Sequence, residues 1–103
     1  MRIISEKRLK EFWQVAKGAE STRRKNAMLE WRDAVRVADW SSLVDVRQTF
    51  NHADVYHDCV IFDVGGNKYR IIAKVRYQKH LIFIRAVLTH EEYDENKWCG
   101  GCE

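Results

Sequence analysis

Lysine and arginine alternate with other residues along one stretch of the chain. The four cations are Lys68, Arg70, Lys74 and Arg76. Positions two apart in a β-strand share a face, so the pattern predicts a cationic sheet face on which like charges repel one another. Such a face needs water or a bound anion beside it, and we favour contact with phosphate groups over a merely solvated face. Arg70 is the first candidate, because a guanidinium binds phosphate bidentately and the middle of a strand fixes its position.

A second group of candidate side chains closes the last strand-like stretch. The sequence Thr-His-Glu-Glu-Tyr-Asp at residues 89–94 places an imidazole and a phenol beside three carboxylates. Histidine is the residue type best suited to general acid–base catalysis, which makes His90 a candidate, and Tyr93 could stack on a base or move a proton. An exposed or capping histidine is the alternative. His90 becomes the stronger candidate if the cationic strand lies beside it.

Arg85 lies among apolar residues of the same stretch. Strict alternation puts it on the strand face that Phe83 and Val87 share. A charge in an apolar row needs an acid, a backbone carbonyl or a ligand anion as its partner. The sequence therefore predicts either a structural salt bridge or an anion contact for Arg85.

The three cysteines carry a weaker signal. Cys99 and Cys102 form a C-x-x-C motif, which could be half of a zinc site or a redox pair, while Cys59 stands alone in a predicted strand. A second pair is absent and no spacing among the histidines makes a metal site, so we expect no metal or other cofactor. Three cysteines without a secretion signal predict no disulfide framework. Residues 99–103 are expected to form a flexible tail.

Hydrophobic periodicity predicts the elements that position these side chains. A short first strand is expected at residues 2–4. Apolar residues then repeat at three- and four-residue spacing, which predicts a first helix that begins at Glu6 and ends at Gly18 and a second helix from Glu20 to Ala38. The connection at 40–55 is irregular, and its length indicates that apolar residues anchor it through a short helical turn.

From residue 56 the apolar period changes to two, which predicts strands. They are expected at 59–64, 68–77 and 80–88, with a tight turn at 65–67 and a short helix or strand end over 91–98. Two helices followed by an antiparallel meander predict an α+β domain in which both N-terminal helices pack on one face of a small antiparallel sheet. We place this single domain at residues 1–98.

Length and composition bound the class of protein. A chain of 103 residues forms one domain and is too short for a two-domain cofactor enzyme. Hydrophobic residues make up 46%, which is too many for a disordered chain. The apolar runs are far shorter than the ~20 residues of a membrane-spanning helix, and no secretion signal is evident. We therefore expect a cytoplasmic protein with no membrane partner.

The distribution of charge indicates a polyanionic partner. The net charge is +3, but residues 1–36 hold ten basic against five acidic residues, a net +5. Residues 91–103 hold one basic against five acidic residues, a net −4. A basic body with an acidic end suits a polyanion. A charged surface that merely solvates a small domain is the alternative.

Two segments of the sequence resemble a known family. They are Phe-Asp-Val-Gly-Gly-Asn-Lys-Tyr-Arg at residues 62–70 and Leu-Thr-His-Glu-Glu-Tyr-Asp at residues 88–94. Both resemble the HigB-type toxins of bacterial toxin–antitoxin pairs, which belong to the RelE superfamily of messenger-RNA interferases. Ile3-Ile4-Ser5 and the helix after it are similar too, so the resemblance covers most of the chain except residues 97–103.

The resemblance implies a small RelE-like α+β fold and a specific activity. Members cleave messenger RNA endonucleolytically, mainly when it is held in the ribosomal A site. They work without a metal: the ribose 2′-OH attacks the adjacent phosphate and leaves a cyclic phosphate and a 5′-OH. The resemblance also implies a HigA-type antitoxin with a helix-turn-helix domain. The alternative is a degenerate toxin that only binds RNA or the ribosome.

The resemblance also assigns roles to the candidate residues. Arg70 matches the family's arginine on the central strand, His90 falls where the superfamily often has a basic residue, and Tyr93 lies near the family's C-terminal aromatic residue. These three are the catalytic candidates. The RNA-binding candidates are Lys68, Lys74, Arg76 and Arg85.

Overall fold

The computed structural model describes residues 1–103, which form four α-helices and five strands. In chain order they are β1 (Arg2–Ile4), α1 (Lys7–Gln14), α2 (Gly18–Val37), α3 (Leu43–Thr49), β2 (Asp54–Tyr56), β3 (Cys59–Val64), β4 (Tyr69–Arg76), β5 (Leu81–Thr89) and α4 (His90–Asp94). Two short 3₁₀ helices lie at Tyr77–Lys79 and Cys99–Cys102. The α+β class is as predicted, and the expected irregular connection contains α3.

The five strands form one mixed sheet in the order β1-β5-β4-β3-β2. β2 to β5 pair as an antiparallel meander, but β1 pairs with β5 in parallel, with Ile3 opposite Ile82. The expectation of an antiparallel sheet is therefore only partly right. A parallel pair needs a long connection, and the helices and the meander supply it, which leaves the free edge of β5 for β1.

Three helices, and not the predicted two, contribute to the main core. Leu9 of α1 and Trp31 of α2 are buried, and Trp31 packs edge-to-face on Phe62 of β3 with 5.4 Å between the ring centroids. α3 adds the buried Val46, and Phe50 after it packs on Phe62 at 5.3 Å. Each large side chain buried in this way contributes roughly 1.5–3 kcal/mol. No helix has the length and apolar content that a membrane crossing requires.

The opposite face of the sheet is covered by the chain that follows α4. Ile61 and Ile72 lie on this face in one buried cluster with Cys59 and Cys102, and the two cysteines form a disulfide. Cys102 is only 1% exposed, so the expected flexible tail is instead packed on the sheet, and one disulfide forms where the sequence predicted no disulfide framework. The reason is that the face expected to be cationic also carries apolar residues, and these need a cover.

β5 contains a β-bulge at Arg85. Ile84 and Ala86 pair with consecutive residues of β4, so Arg85 between them has no partner. The extra residue inverts the alternation, and Val87 packs against the helix-covered core. The prediction that Arg85 shares an apolar row with Phe83 and Val87 is therefore wrong. Arg85 is exposed, so it needs no buried partner.

The turn between β3 and β4 sets the register of the central hairpin. All three residues at 65–67 have positive φ, a conformation that glycine adopts without strain. A Cβ on Gly65 would lie 2.6 Å from a ring carbon of Tyr69, so the turn also needs the space that glycine leaves. The resulting register puts Asp63 directly opposite Arg70.

Candidate active site

Arg70 and His90 come together where β4 and β5 pair. Arg70 lies opposite Leu88, and the chain enters α4 two residues later, at His90. The backbone N–H of His90 donates to the carbonyl of Lys68 at 2.9 Å, which ties the start of α4 to the hairpin turn. Arg70 Nη2 is then 3.4 Å from Nδ1 of His90. The proximity that the sequence suggested is observed.

Arg70 is held more tightly than a solvated strand face would allow. Its Nη1 donates to Asp63 Oδ1 at 3.0 Å, to the Asn67 carbonyl at 3.0 Å and to the Tyr69 carbonyl at 3.1 Å. The residue is 9% exposed. Nη2 has no carboxylate partner. The partners of Nη1 therefore fix the guanidinium, while Nη2 is directed towards His90 and remains available to a ligand oxygen.

The capping of α4 positions His90. Thr89 Oγ1 accepts from the N–H of Glu92 at 3.2 Å, and the Glu92 carboxylate accepts from the N–H of Thr89 at 2.9 Å. This capping box fixes the first turn of the helix. Nε2 of His90 lies 3.4 Å from Asp94 Oδ2 one turn on, and its side chain is half exposed. A proton on Nε2 that faces Asp94 leaves Nδ1 as the acceptor towards Arg70.

Tyr93 lies beside Arg70 on α4. The guanidinium carbon of Arg70 is 5.1 Å from the centroid of the Tyr93 ring, within the range of a cation–π contact. Trp98 stacks on the same ring at 5.1 Å with 10° between the planes. Burial raises the pKa of the Tyr93 phenol above its ordinary value, and the positive charge of Arg70 opposes that rise. The phenol is therefore protonated at neutral pH and can donate a hydrogen bond.

Lys68 and His90 line one open cavity of about 330 Å³. Lys68 lies in the turn before β4, outside the strand, and is exposed. Glu20 of α2 lies at the same cavity and accepts from the Tyr69 hydroxyl at 3.0 Å. Hydrogen bonds and the charge of Arg24 hold the pKa of Glu20 below its ordinary value, so this part of the wall is anionic.

Lys74 and Arg76 do not join this group. Four residues along β4 separate Lys74 from Arg70, which is about 13 Å at the rise of a strand. Asp58 pairs with both cations, at 3.4 Å to Lys74 Nζ and 3.3 Å to Arg76 Nη2. Hydrogen bonds from Arg76 and then Lys74 lower the pKa of the Asp58 carboxyl. The predicted row of unpaired cations is thus divided into two groups, each with its own acid.

Arg85 also lies apart from Arg70 in its contacts. It forms no ion pair, and its carbonyl accepts from Arg8 Nη1 at 3.1 Å. Its guanidinium extends towards Gly101 in the chain after α4. The salt bridge considered for Arg85 is absent, and its side chain is free to meet an anion.

Two residues of the site were missed by sequence reasoning. Asp63 could have been found from the hairpin turn, since a turn at 65–67 brings it opposite Arg70. Trp98 had no comparable signal, because only the fold of the chain after α4 brings it to Tyr93. No three histidine, cysteine, aspartate or glutamate side chains are grouped closely enough to hold a metal ion.

This arrangement suits the chemistry of an anionic substrate. Arg70 offers a fixed cation, His90 an imidazole that can accept or release a proton, and Tyr93 a neutral phenol. Lys68 adds a second, exposed cation in the wall of the cavity. Together these groups can bind a phosphate and move a proton beside it.

Comparison with known proteins relates this site to one family. The family model described as "HigB_toxin, RelE-like toxic component of a toxin-antitoxin system" matches residues 24–96. That range includes Arg70, His90 and Tyr93, and it ends before Trp98. The resemblance seen in the two sequence segments is confirmed.

Individual relatives match over shorter stretches. The chain is 40% identical over 45 residues to "mRNA interferase toxin HigB" of Escherichia coli (strain K12), which covers 44% of this chain and 40% of the relative. It is similarly matched to "mRNA interferase HigB" of Shigella flexneri. A further "mRNA interferase HigB", from Escherichia coli O6:H1, is 28% identical over 64 residues, or 59% of this chain and 62% of the relative. The chain thus matches less than two thirds of the length of each of these relatives.

Proposed function

The chain belongs to the HigB toxin family of RelE-like toxic components of toxin-antitoxin systems, and we propose that it is the toxin of such a pair and cleaves messenger RNA. The observation that carries the proposal is the 3.4 Å approach of Arg70 Nη2 to Nδ1 of His90, a residue that lines an open cavity together with Lys68. A phosphate at this place would meet a cation and a proton carrier at once. Relatives named mRNA interferase support RNA as the substrate.

The reaction we propose is attack of the ribose 2′-OH on the adjacent phosphate. The bond from O2′ to phosphorus forms, the bond from phosphorus to O5′ breaks, and the products are a 2′,3′-cyclic phosphate and a 5′-OH. Arg70 Nη2 and Lys68 stabilise the negative charge that develops on the phosphorane oxygens. These cations lead us to propose that the reaction needs no metal.

His90 and Tyr93 would share the proton transfers. When a phosphate oxygen accepts from Arg70 Nη2 in place of His90 Nδ1, the lone pair of Nδ1 is released and takes the proton from the 2′-OH as general base. The Tyr93 phenol is protonated at neutral pH, as an ordinary phenol is, and burial raises its pKa further, so it can donate towards the leaving O5′. The two groups thus differ in their roles because their surroundings differ.

We propose that the RNA is held by the ribosomal A site during cleavage. The His90 side chain is half exposed and the cavity beside it is open, so the protein itself encloses little of a substrate. An enzyme with so open a site gains most from a second body that holds the RNA in a reactive geometry. The cytoplasm is the corresponding location, and a HigA-type helix-turn-helix antitoxin is the proposed partner.

One observation favours the alternative, a module that binds RNA or the ribosome without cleaving it. Nη1 of Arg70 already has a carboxylate and two carbonyls as partners, and these compete with a phosphate. If Arg70 serves only the fold, Lys68 and the exposed Arg85 would remain as phosphate contacts. Binding without cleavage is the result that would distinguish this alternative.

The test is cleavage of a defined message on purified ribosomes. Wild type is compared with Arg70→Ala, and Lys10→Ala serves as a matched control because it removes one exposed cation on α1. We expect wild type and the control to cut ribosome-bound message, with products that carry a 5′-OH, and Arg70→Ala to cut about a hundredfold more slowly. A parallel reaction with a chelator checks metal independence. Ribosome binding without any cut would establish the alternative.

A further inference from the structure

The chain after α4, residues 95–103, lies against the candidate site; we call it the closing segment. Trp98 in this segment stacks on Tyr93, and its indole Nε1 donates to the Tyr93 carbonyl at 2.9 Å. Trp98 also packs edge-on against Tyr56 of β2, with 5.2 Å between the centroids. Trp98 therefore holds both the ring and the backbone of Tyr93 against the sheet.

The closing segment is attached to the sheet by a covalent bond. Cys102 forms a disulfide with Cys59 of β3, and both residues are buried. The backbone N–H of Asp58 donates to the Cys102 carbonyl at 3.2 Å. The side chain of Glu103 accepts from the Tyr56 hydroxyl. The disulfide and these hydrogen bonds determine where Trp98 can lie.

The contacts of Trp98 extend, through Tyr93, to the side chains that we propose act on RNA. Trp98 touches Tyr93, and the Tyr93 ring lies 5.1 Å from the guanidinium carbon of Arg70, whose Nη2 is 3.4 Å from His90. A shift of the closing segment would remove the support of the Tyr93 ring first. Displacements of about 1 Å at a reacting group can lower a rate about a hundredfold.

We propose that Trp98 is a positioning residue of this site and that the Cys59–Cys102 disulfide holds it there, so that thiol–disulfide exchange at this pair sets the rate of cleavage. The rate effect rests on the proposed function, whereas the positioning of Tyr93 does not. In a reducing compartment such a disulfide is typically transient or redox-sensing, which suits a controlling role.

The exchange needs a reductant in one direction and an oxidant in the other. Because Cys59 and Cys102 are buried, the closing segment must first open locally to expose the pair. A dithiol reductant then attacks one sulfur, the S–S bond breaks, and two electrons and two protons pass to Cys59 and Cys102 as two S–H groups. The reductant leaves as its own cyclic disulfide. A small-molecule disulfide reverses the reaction and is itself reduced to two thiols.

The activity test compares variants in the closing segment with a matched control. The variants are Trp98→Ala, Trp98→Phe, Cys102→Ser and, as the control, Cys99→Ser, which alters the unpaired cysteine of the same segment. Cleavage of ribosome-bound message is measured with and without a dithiol, with kcat and KM determined separately. Trapping of free thiols under denaturing conditions, followed by mass spectrometry, reports the state of the disulfide.

Because Trp98 positions a proton donor and does not bind RNA, we expect kcat to fall and KM to stay nearly constant. Trp98→Ala should lower kcat by about 10- to 100-fold, and Trp98→Phe should recover most of it because a phenyl ring can still stack on Tyr93. Cys102→Ser and dithiol-treated wild type should match each other, and Cys99→Ser should match oxidised wild type. Full activity of Cys102→Ser, or of reduced wild type, would refute the proposal that the disulfide sets the rate of cleavage.

A second readout does not depend on cleavage. Burial keeps the pKa of Tyr93 above 10, so loss of Trp98 should bring it down towards 10 in a titration followed by NMR of labelled tyrosines, assigned with Tyr93→Phe. The same fall is expected for Cys102→Ser and for reduced wild type. If wild type cuts no RNA, the proposed function fails, yet this titration still decides whether the closing segment positions Tyr93. An unchanged pKa of Tyr93 in Trp98→Ala would refute the proposal that Trp98 positions Tyr93.

Discussion

Replacement of Arg70 by alanine should damage both the proposed reaction and the fold, and the two effects can be separated. Arg70 Nη2 is directed towards His90, while Nη1 is bound to Asp63 at 3.0 Å. The first contact belongs to the proposed chemistry and the second to the stability of the β3–β4 hairpin. Arg70→Ala removes both, whereas a double variant that also replaces Asp63 by alanine removes the acid left without its partner.

The geometry of Arg70 gives the expected losses in cleavage rate and in free energy of unfolding. Loss of one charge-assisted contact at the transition state should cost about 3 kcal/mol, or roughly a hundredfold in rate. The attraction of two charges 3.0 Å apart is about 5 kcal/mol at an effective dielectric constant of 20. Desolvation offsets most of it, and the Asp63 side chain is 21% exposed. We therefore expect Arg70→Ala to lower the free energy of unfolding by about 1–3 kcal/mol.

The assays are urea denaturation and cleavage of ribosome-bound message, for both variants and for Lys10→Ala as the control. The double variant should regain about half of the lost stability, since the Asn67 and Tyr69 carbonyls still lack their donor, but none of the lost rate. A domain with an ordinary stability of 5–15 kcal/mol stays folded after either change. Recovery of cleavage in the double variant would refute a direct role of Arg70, because stability alone would then explain the loss.

Four further outcomes are expected. His90→Gln should lower the rate on the order of 100-fold and flatten the pH–rate profile near neutrality; an unchanged profile measured over pH ~5 to ~9 would leave His90 as a helix-capping neighbour only. Gly65→Ala should destabilise the protein by at least about 1 kcal/mol in urea denaturation, because φ is +64° and the new Cβ would collide with the Tyr69 ring. Phe62→Ala should cost about 3–5 kcal/mol in the same measurement, because Trp31 of α2 and Phe50 after α3 pack on that buried ring; a loss below about 1 kcal/mol would contradict this packing. Burial raises the pKa of Tyr69 and of Tyr93 above 10, so their contribution to stability is fully present below pH 10 and is lost as the pH rises through the raised values, which denaturation series at increasing alkaline pH would detect.

The elements that could be predicted are those whose signals are local. The two helical stretches and the three central strands follow from periodicity and from the turn at 65–67, and each lies within a few residues of its predicted range. The pairing of β1 with β5 could not be predicted in this way. It joins residues about 80 positions apart, and nothing in Arg2–Ile4 specifies which edge the strand will join.

Errors about the site came from treating one strand as if it stood alone. The spacing of Arg70, Lys74 and Arg76 correctly places them along β4, but it does not show that Asp63 and Asp58 on neighbouring chain segments neutralise them. Strict alternation likewise failed at the bulge, because one unpaired residue, Arg85, reverses the faces of those that follow. A charge pattern within one strand therefore gives positions and not the electrostatic surroundings.

Arg70 and His90, the two principal side chains of the site, are positioned by two separate sets of local interactions. The hairpin register and the bond to Asp63 hold Arg70, whereas the capping box of Thr89 and Glu92 holds His90 at the first turn of α4. The β4–β5 pairing and the bond from the His90 N–H to the Lys68 carbonyl join these two parts of the site, and the bulge at Arg85 lies within that pairing. Because the sheet beyond the bulge must keep its register for Arg70 to lie opposite Leu88, the bulge determines which residue of β5 reaches the site. The geometry of Arg70 and His90 is thus a consequence of sheet register, and a change that removes the bulge should separate them without altering either residue.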